Sequence, residues 1–384
     1  MTHGRARRVL VVAWWYPGPD NAVRGVFVRD QARAVARDTD VTVLAFEPAR
    51  DLGRAPFAIS DGEEDGLRTV RIRHAPLPGL AAAAAYLPGA AAAALRLVGT
   101  GPRPDVVHAH VYMAGLIASP LARAWRAPLV LSEHYSGFQL GTLGTAGRAA
   151  ARAAMAAADT ICPPSESLRR ALQPLAPRGR FRVVPNPVDT DRFRPPVARE
   201  PGERLLFVGN LEEVKGVATL LEAAAILRTR RPGITLDLIG GGDRRREFEA
   251  LADGLGLGGA ARFRGPLERG EVAEAMRAAD VLLAPSRTET FGLAVAEALA
   301  SGLPVVAARA GALPELVGPA HGALVPAGDP GALADAAGRM LDGAAGRDPA
   351  AMARAARDRF SPGAVADAWS AVYDEATARS RRGT

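Results

Sequence analysis

The chain alternates between short runs that are almost wholly apolar and longer stretches in which apolar residues recur every three to four positions. The short runs lie at 8–14, 40–45, 69–73, 105–108, 129–133, 160–162 and 181–184, and again at 204–208, 235–240, 262–264, 281–284, 304–307 and 323–325. They are mostly continuous, not alternating, so they predict strands covered on both faces, the mark of parallel sheets. The longer stretches, 26–37, 217–228, 244–255 and 333–341 among them, predict amphipathic helices. Two such series in one chain predict an α/β protein with two doubly wound, parallel-sheet, Rossmann-like domains.

Periodicity stops across 191–202, where Arg192, Arg194, Pro195, Pro196 and Pro201 cluster. The boundary between a first domain over 1–190 and a second over 200–361 is expected there. A last helix over 362–380 carries Trp369 and Tyr373 at i and i+4, an apolar pair that needs a surface, expected to be that of the first domain. The alanine-rich stretch at 80–98 is interrupted by Pro88-Gly89, which predicts a broken, packed helix or a hairpin and not a membrane span.

A hydrophobic content of 48% and a charged content of 23% fit a globular chain of 384 residues. The single cysteine, Cys162, excludes an internal disulfide framework and offers no metal-cluster spacing. The basic start leads into too short an apolar run for a signal or anchor, so the cytosol is expected. The net charge of +7 is spread over arginines interleaved with acids, without any nucleic-acid-binding signature, so no nucleic-acid partner is expected.

One residue breaks the arginine bias. All but one of the 48 basic residues are arginine, and the exception is Lys215. It follows an apolar run and a Gly209-Asn210 turn, and Gly216 then leads into a predicted helix. An ammonium beside a helix start is suited to phosphate. A second constellation follows the run at 281–284: Ser286-Arg287-Thr288-Glu289-Thr290-Phe291-Gly292-Leu293, with Glu297 about one turn into the next helix. A carboxylate that accepts two hydroxyl hydrogen bonds suits a vicinal diol of a ribose or a hexose. Phosphate at a helix start, with sugars held by carboxylates on either side, is the layout that a nucleotide sugar requires.

These motifs resemble the retaining glycosyltransferases of family 4, which share the two-domain GT-B fold. Glu289-x7-Glu297, with Phe291-Gly292 inside it, is similar to that family's paired-glutamate signature. Gly209-Asn210-Leu211 with Lys215-Gly216 resembles its phosphate-binding segment, and Pro185-Asn186-Pro187-Val188-Asp189 with Phe193 its hinge. In the first half, Tyr16-Pro17, Gly25-Val26-Phe27-Val28, Asp105-Val106-Val107-His108-Ala109-His110 and Glu133-His134 fit more loosely.

The resemblance implies two Rossmann-like domains that face each other across a cleft. It implies transfer of a hexosyl unit from a nucleoside-diphosphate sugar to an acceptor hydroxyl on a lipid-linked saccharide, glycan or small metabolite. Lys215 would bind the diphosphate and Glu297 the ribose. Glu289 would hold hydroxyls of the transferred sugar, and the backbone amides of Phe291, Gly292 and Leu293 would cup sugar and phosphate. His134 would approach the transferred sugar and Gly25 would cap the phosphates, while His108 and His110, the latter in a loop, would be structural. Asn210 stands where many members carry Arg, so Arg24 or Arg287 would have to supply a second cation. No cofactor and no metal ion is implied.

The alternative is a nucleotide-sugar epimerase on a related two-domain fold, which would convert the donor without an acceptor. A pyridoxal-phosphate phosphorylase is excluded because the one lysine is already assigned to phosphate. Peripheral docking on anionic lipid at the inner face of the membrane is a further expectation, through Arg5, Arg7, Arg8, Arg148 and Arg152.

Overall fold

The computed structural model describes residues 6–18, 24–52, 55, 57–75, 79–100, 103–198, 202–343 and 348–382. The chain divides into two compact units, Met1–Pro187 together with Pro362–Thr384, and Val188–Ser361. Arg5 and Pro201 lie outside the described residues.

The first unit contains β1 (Arg7–Ala13), β2 (Thr39–Pro48), β3 (Phe57–Glu64), β4 (Leu67–His74), β5 (Val106–His110), β6 (Leu129–Ser132) and β7 (Thr160–Cys162). They form one sheet in the order β3-β4-β2-β1-β5-β6-β7, parallel except for β3, which runs antiparallel to β4. The second unit contains β8 (Arg204–Val208), β9 (Thr235–Ile239), β10 (Ala261–Gly265), β11 (Val281–Ala284), β12 (Val305–Ala308) and β13 (Gly322–Val325). Their order, β10-β9-β8-β11-β12-β13, is the doubly wound one, with the direction reversing between β8 and β11. In the first unit the reversal lies between β1 and β5. Ligands of such sheets bind beyond the carboxyl ends of the strands at the reversal, so the loops after β8 and β11, and after β1 and β5, are the places to search.

Continuous burial explains why these runs form central strands. Every residue of β5, β6 and β11 is buried, as parallel sheets covered by helices on both faces require. The helix Pro362–Arg382 closes the first unit. Its Trp369 and Tyr373 are fully buried, with Val365, Val372 and Ala376, among the apolar residues of β1, β2 and β5.

Four details differ from the sequence expectations. The strand β3 was not foreseen: its outer half, Asp61-Gly62-Glu63-Glu64, is polar because an edge strand has one face in water. Its link to β4 is Asp65-Gly66, both at positive φ, a two-residue hairpin turn. The run at 181–184 contributes a single bridge, Ile161 to Phe181, and Pro185 and Pro187 then end its capacity to donate. The alanine-rich stretch is one continuous helix, Gly79–Thr100, through Pro88. Burial of Tyr86, Ala90, Ala93 and Ala94 outweighs the ladder bond that Pro88 cannot donate. Finally, His110 is not in a loop but ends β5, and it is buried.

Candidate functional site

In the second unit the loops after β8 and β11 meet at the strand reversal. Lys215 closes the single turn Glu213–Lys215, and Gly216 follows at φ 71° as cap of the helix Val217–Arg230. A Cβ on Gly216 would lie 2.3 Å from the carbonyl oxygen of Pro285, so only glycine lets the two loops touch. The N–H of Arg287 donates to the carbonyl of Val214 at 2.7 Å, which zips the loops together. Across this seam Lys215 Nζ lies 2.6 Å from Glu289 Oε1, and Ser286 Oγ donates to the same oxygen at 2.9 Å. The one ammonium of the chain and the first motif glutamate therefore share a partly buried ion pair.

Gly292 caps the next helix, Leu293–Ala300, in the left-handed conformation, and as glycine it has no side chain to cap that helix start. Phe291 is buried against Phe360, ring centroids 5.6 Å apart, so its side chain packs and only its backbone faces the loop chemistry. Glu297 is 7% exposed, and its Oε1 accepts from Arg269 Nη2 at 2.8 Å. Arg269 opens the helix Arg269–Ala278 after β10, where a reciprocal cap between Glu268 and Glu271 fixes the first turn. Its guanidinium also lies 5.6 Å from the centre of the Phe193 ring. The sequence reading missed Arg269, which no local motif marks. Asn210 donates to Glu212 at 3.0 Å, and Arg287 is paired with Glu213.

The corresponding loops of the first unit are built differently. Glu133 follows β6 and is wholly buried. Its Oε1 accepts from the backbone N–H of His134 at 2.8 Å and of Tyr135 at 2.9 Å, and its Oε2 from that of Tyr112 at 2.9 Å. One carboxylate thus ties the loop after β5 to the loop after β6. Burial pushes its pKa up to about 7 against the pull of those three amides. His134 Nε2 lies 3.4 Å from His110 Nδ1, the rings nearly parallel, and the Phe27 ring packs against His134 with centroids 4.5 Å apart. His108 bonds Tyr373 Oη and Ser132 Oγ, each at 2.8 Å. Burial holds His108 and His134 down to about 3 and His110 well below the ordinary value, so all three are neutral imidazoles near pH 7. Gly25 precedes the helix Val26–Val35 at φ 71°, and a Cβ there would lie 2.3 Å from the Trp15 carbonyl oxygen. Glycine is needed at that position for a close turn, whatever else it does.

Asp38-Thr39-Asp40 and Asp189-Thr190-Asp191 have the Asp-x-Asp spacing of some metal sites. Asp189 pairs with Arg192 and Asp191 with Arg357. Among the described residues no group of three or more His, Cys, Asp or Glu is set to hold a metal ion. No helix among them is long and apolar enough to cross a membrane.

The chain thus has two doubly wound units, and the second carries the pairs Lys215–Glu289 and Arg269–Glu297 in and beside the loops that follow its strands. The comparisons with known proteins agree. Residues 25–192 match the family model "Glycosyltransferase Family 4" and residues 189–359 the model "Glycosyl transferases group 1". The chain is 32% identical over 390 residues to a D-inositol 3-phosphate glycosyltransferase of Xylanimonas cellulosilytica, covering 92% of each. It is 31% identical over 405 residues to a glycogen synthase of Mycobacterium tuberculosis, covering 95% of this chain and 94% of that one. Sucrose-phosphate synthase from Thermosynechococcus elongatus superposes with a TM-score of 0.79 at 21% identity, over 97% of this chain and 100% of that one. The chain belongs to glycosyltransferase family 4, with the GT-B architecture, and it is a glycosyltransferase. The epimerase alternative finds no support among these relatives.

Proposed function

We propose that the enzyme is a retaining hexosyltransferase, metal-independent, that takes its sugar from a nucleoside diphosphate. The second unit would be the donor-binding half and the first the acceptor-side half. The carrying observation is the Lys215–Glu289 pair at 2.6 Å beside the start of the helix Leu293–Ala300. One ion pair then presents a cation to the diphosphate and a carboxylate to the hydroxyls of the adjoining sugar. An ammonium has three donors and a carboxylate about four acceptor positions, so each can take a ligand group while keeping its partner. Backbone N–H groups of Phe291, Gly292 and Leu293 would stabilise charge on sugar and phosphate, and Glu297 would hold the ribose. From the first unit, Gly25 would approach the phosphates and a neutral His134 would approach the transferred sugar as a hydrogen-bond partner.

In the reaction the bond from the anomeric carbon to the diphosphate oxygen breaks. A bond to the acceptor oxygen forms on the same face, and the acceptor proton passes to the departing phosphate. The ammonium and the helix start meet the negative charge that develops on that phosphate. The acceptor class is a lipid-linked saccharide, a glycan or a small metabolite. Attachment to an anionic membrane from the cytosolic side would fall to exposed Arg148 and Arg152, because Arg7 and Arg8 are paired with Asp374 and Asp105. Flotation with anionic vesicles at low salt tests that attachment, and no association would remove it.

A thermal-shift panel of UDP-, GDP- and ADP-sugars on the wild type and Glu297→Ala tests the donor reading. A donor at about 100 times its Kd should add roughly 2.7 kcal/mol, a rise of several degrees in Tm. One base class should shift the wild type and not the variant. No shift with any of them would end the donor reading.

A further inference from the structure

Glu297 is placed for a ribose, yet a carboxylate buried inside a short helix has no reason to stay charged or aimed unless something holds it. The holder is Arg269, at 2.8 Å from Oε1. Three features make Arg269 a built part and not a chance surface cation. Its helix start is fixed by the Glu268–Glu271 cap. Its guanidinium carbon lies over the ring of Phe193, 5.6 Å from the centroid, and Phe193 is itself buried at 1% exposure. And its own side chain is only 23% exposed, against 9% for that of Glu297. A guanidinium is planar and delivers its N–H groups in a fixed fork, so the cation–π contact with Phe193 restricts the direction from which Glu297 is gripped.

From this geometry we infer that Arg269 is a positioning residue that orients Glu297 for the ribose hydroxyls, and so sets the enzyme's preference for ribonucleoside over deoxyribonucleoside diphosphates. The inference rests on the ribose role proposed above for Glu297. A structural role alone, neutralising a buried carboxylate, would affect folding but not this preference.

The test measures Kd for the nucleoside diphosphate that binds and for its 2′-deoxy and 3′-deoxy forms, on the wild type, Arg269→Gln and Glu297→Gln. For the wild type, loss of the hydroxyl that Glu297 holds should weaken binding roughly tenfold or more, as expected for a hydrogen bond to a charged group. In Arg269→Gln the ratio should collapse to within about threefold of unity, as in Glu297→Gln, with circular dichroism unchanged. An Arg269→Gln protein that keeps the full wild-type ratio would overturn the inference while leaving the ribose reading intact. A wild type that ignores both hydroxyls would overturn the ribose reading itself. If Arg269→Gln does not fold, Arg269→Lys is judged by the same ratio: it keeps the charge but loses the planar fork, so partial loss of preference supports positioning and a full wild-type ratio refutes it.

Discussion

The two units carry loop clusters at equivalent places, beyond the carboxyl ends of their central strands, and furnish them in opposite ways. In the second unit the cluster is charged: Lys215 with Glu289 and Arg269 with Glu297, both pairs partly open to solvent. In the first it is buried, and its imidazoles are uncharged. Three imidazoles stack and bond with one another, with Tyr373 and with Ser132, and one buried carboxylate is spent on backbone amides. A charged cradle can bind and stabilise developing charge, whereas a wall of buried, uncharged imidazoles can only shape and orient. On the proposed reading, the same topology divides labour by what its loops carry and not by how its strands are ordered.

The sharpest way to break that comparison is to remove the charge from the cradle. Lys215→Ala should lower kcat/KM by roughly 10²-fold or more, the usual cost of losing one donor aimed at developing charge. Its Tm should move little, because the pair is partly solvated and such pairs contribute modestly to folding. Steady-state kinetics with a saturating acceptor measures the first and calorimetry the second. Wild-type kinetics in Lys215→Ala would mean that the ammonium is not part of the donor site.

The buried cluster should reveal itself by pH. His108 and His134 are held near 3 and His110 well below its ordinary value of 6.5. Below about pH 6.5 the unfolded chain binds protons that the folded chain refuses, so stability is lost as pH falls. Glu133 works the other way: held up to about 7 from 4.5, it keeps a proton in the folded state and loses stability as pH rises through that window. Three groups against one leave a net loss of roughly 3–4 kcal/mol for the first unit between pH 7 and pH 5. Urea unfolding followed by tryptophan fluorescence measures it, because all four tryptophans, Trp14, Trp15, Trp125 and Trp369, lie in that unit. A flat profile would show that the imidazoles do not stay neutral.

A smaller effect separates the tie from the wall. Glu133→Gln places an NH₂ where an oxygen accepted an amide N–H, leaving at least one buried donor without a partner. The cost should be about 1.5 kcal/mol of stability. If His134 depends on that tie for its place, kcat should fall several-fold in the same variant while donor Kd stays unchanged. A fall in donor affinity instead would assign Glu133 to the donor cradle.

The cradle was legible because its parts are local. A lysine unique among arginines, a glycine after it and two glutamates eight positions apart all lie within single segments next to predicted strands. Arg269 was not legible, because its partner lies 28 residues away and nothing local distinguishes it from the other arginines. The histidine wall was half legible. His108 and His110 sit two residues apart, the strand period, so their side chains share one face, and the ring centroids are 4.2 Å apart. That signal was lost when the strand was ended at His108. The edge strand β3 failed for the opposite reason: its polar outer half has no apolar pattern to find, although Asp65-Gly66 just before the β-branched run at 69–72 is a turn signal.

Asn210 gives the finest test of how the cradle meets phosphate charge. It stands beside Lys215 in the same loop, but it is exposed and its amide donates to Glu212. A side chain so engaged adds no cation, so Asn210→Ala should change kcat/KM by less than about threefold and stability by less than about 0.5 kcal/mol. Asn210→Arg would add one guanidinium near the proposed phosphate position, and an added charged partner there should tighten donor binding several-fold, more so at low salt. If Asn210→Ala instead costs tenfold, the amide must leave Glu212 for the ligand when donor binds. Charge neutralisation would then be shared along the whole turn after β8 and not concentrated on its single ammonium.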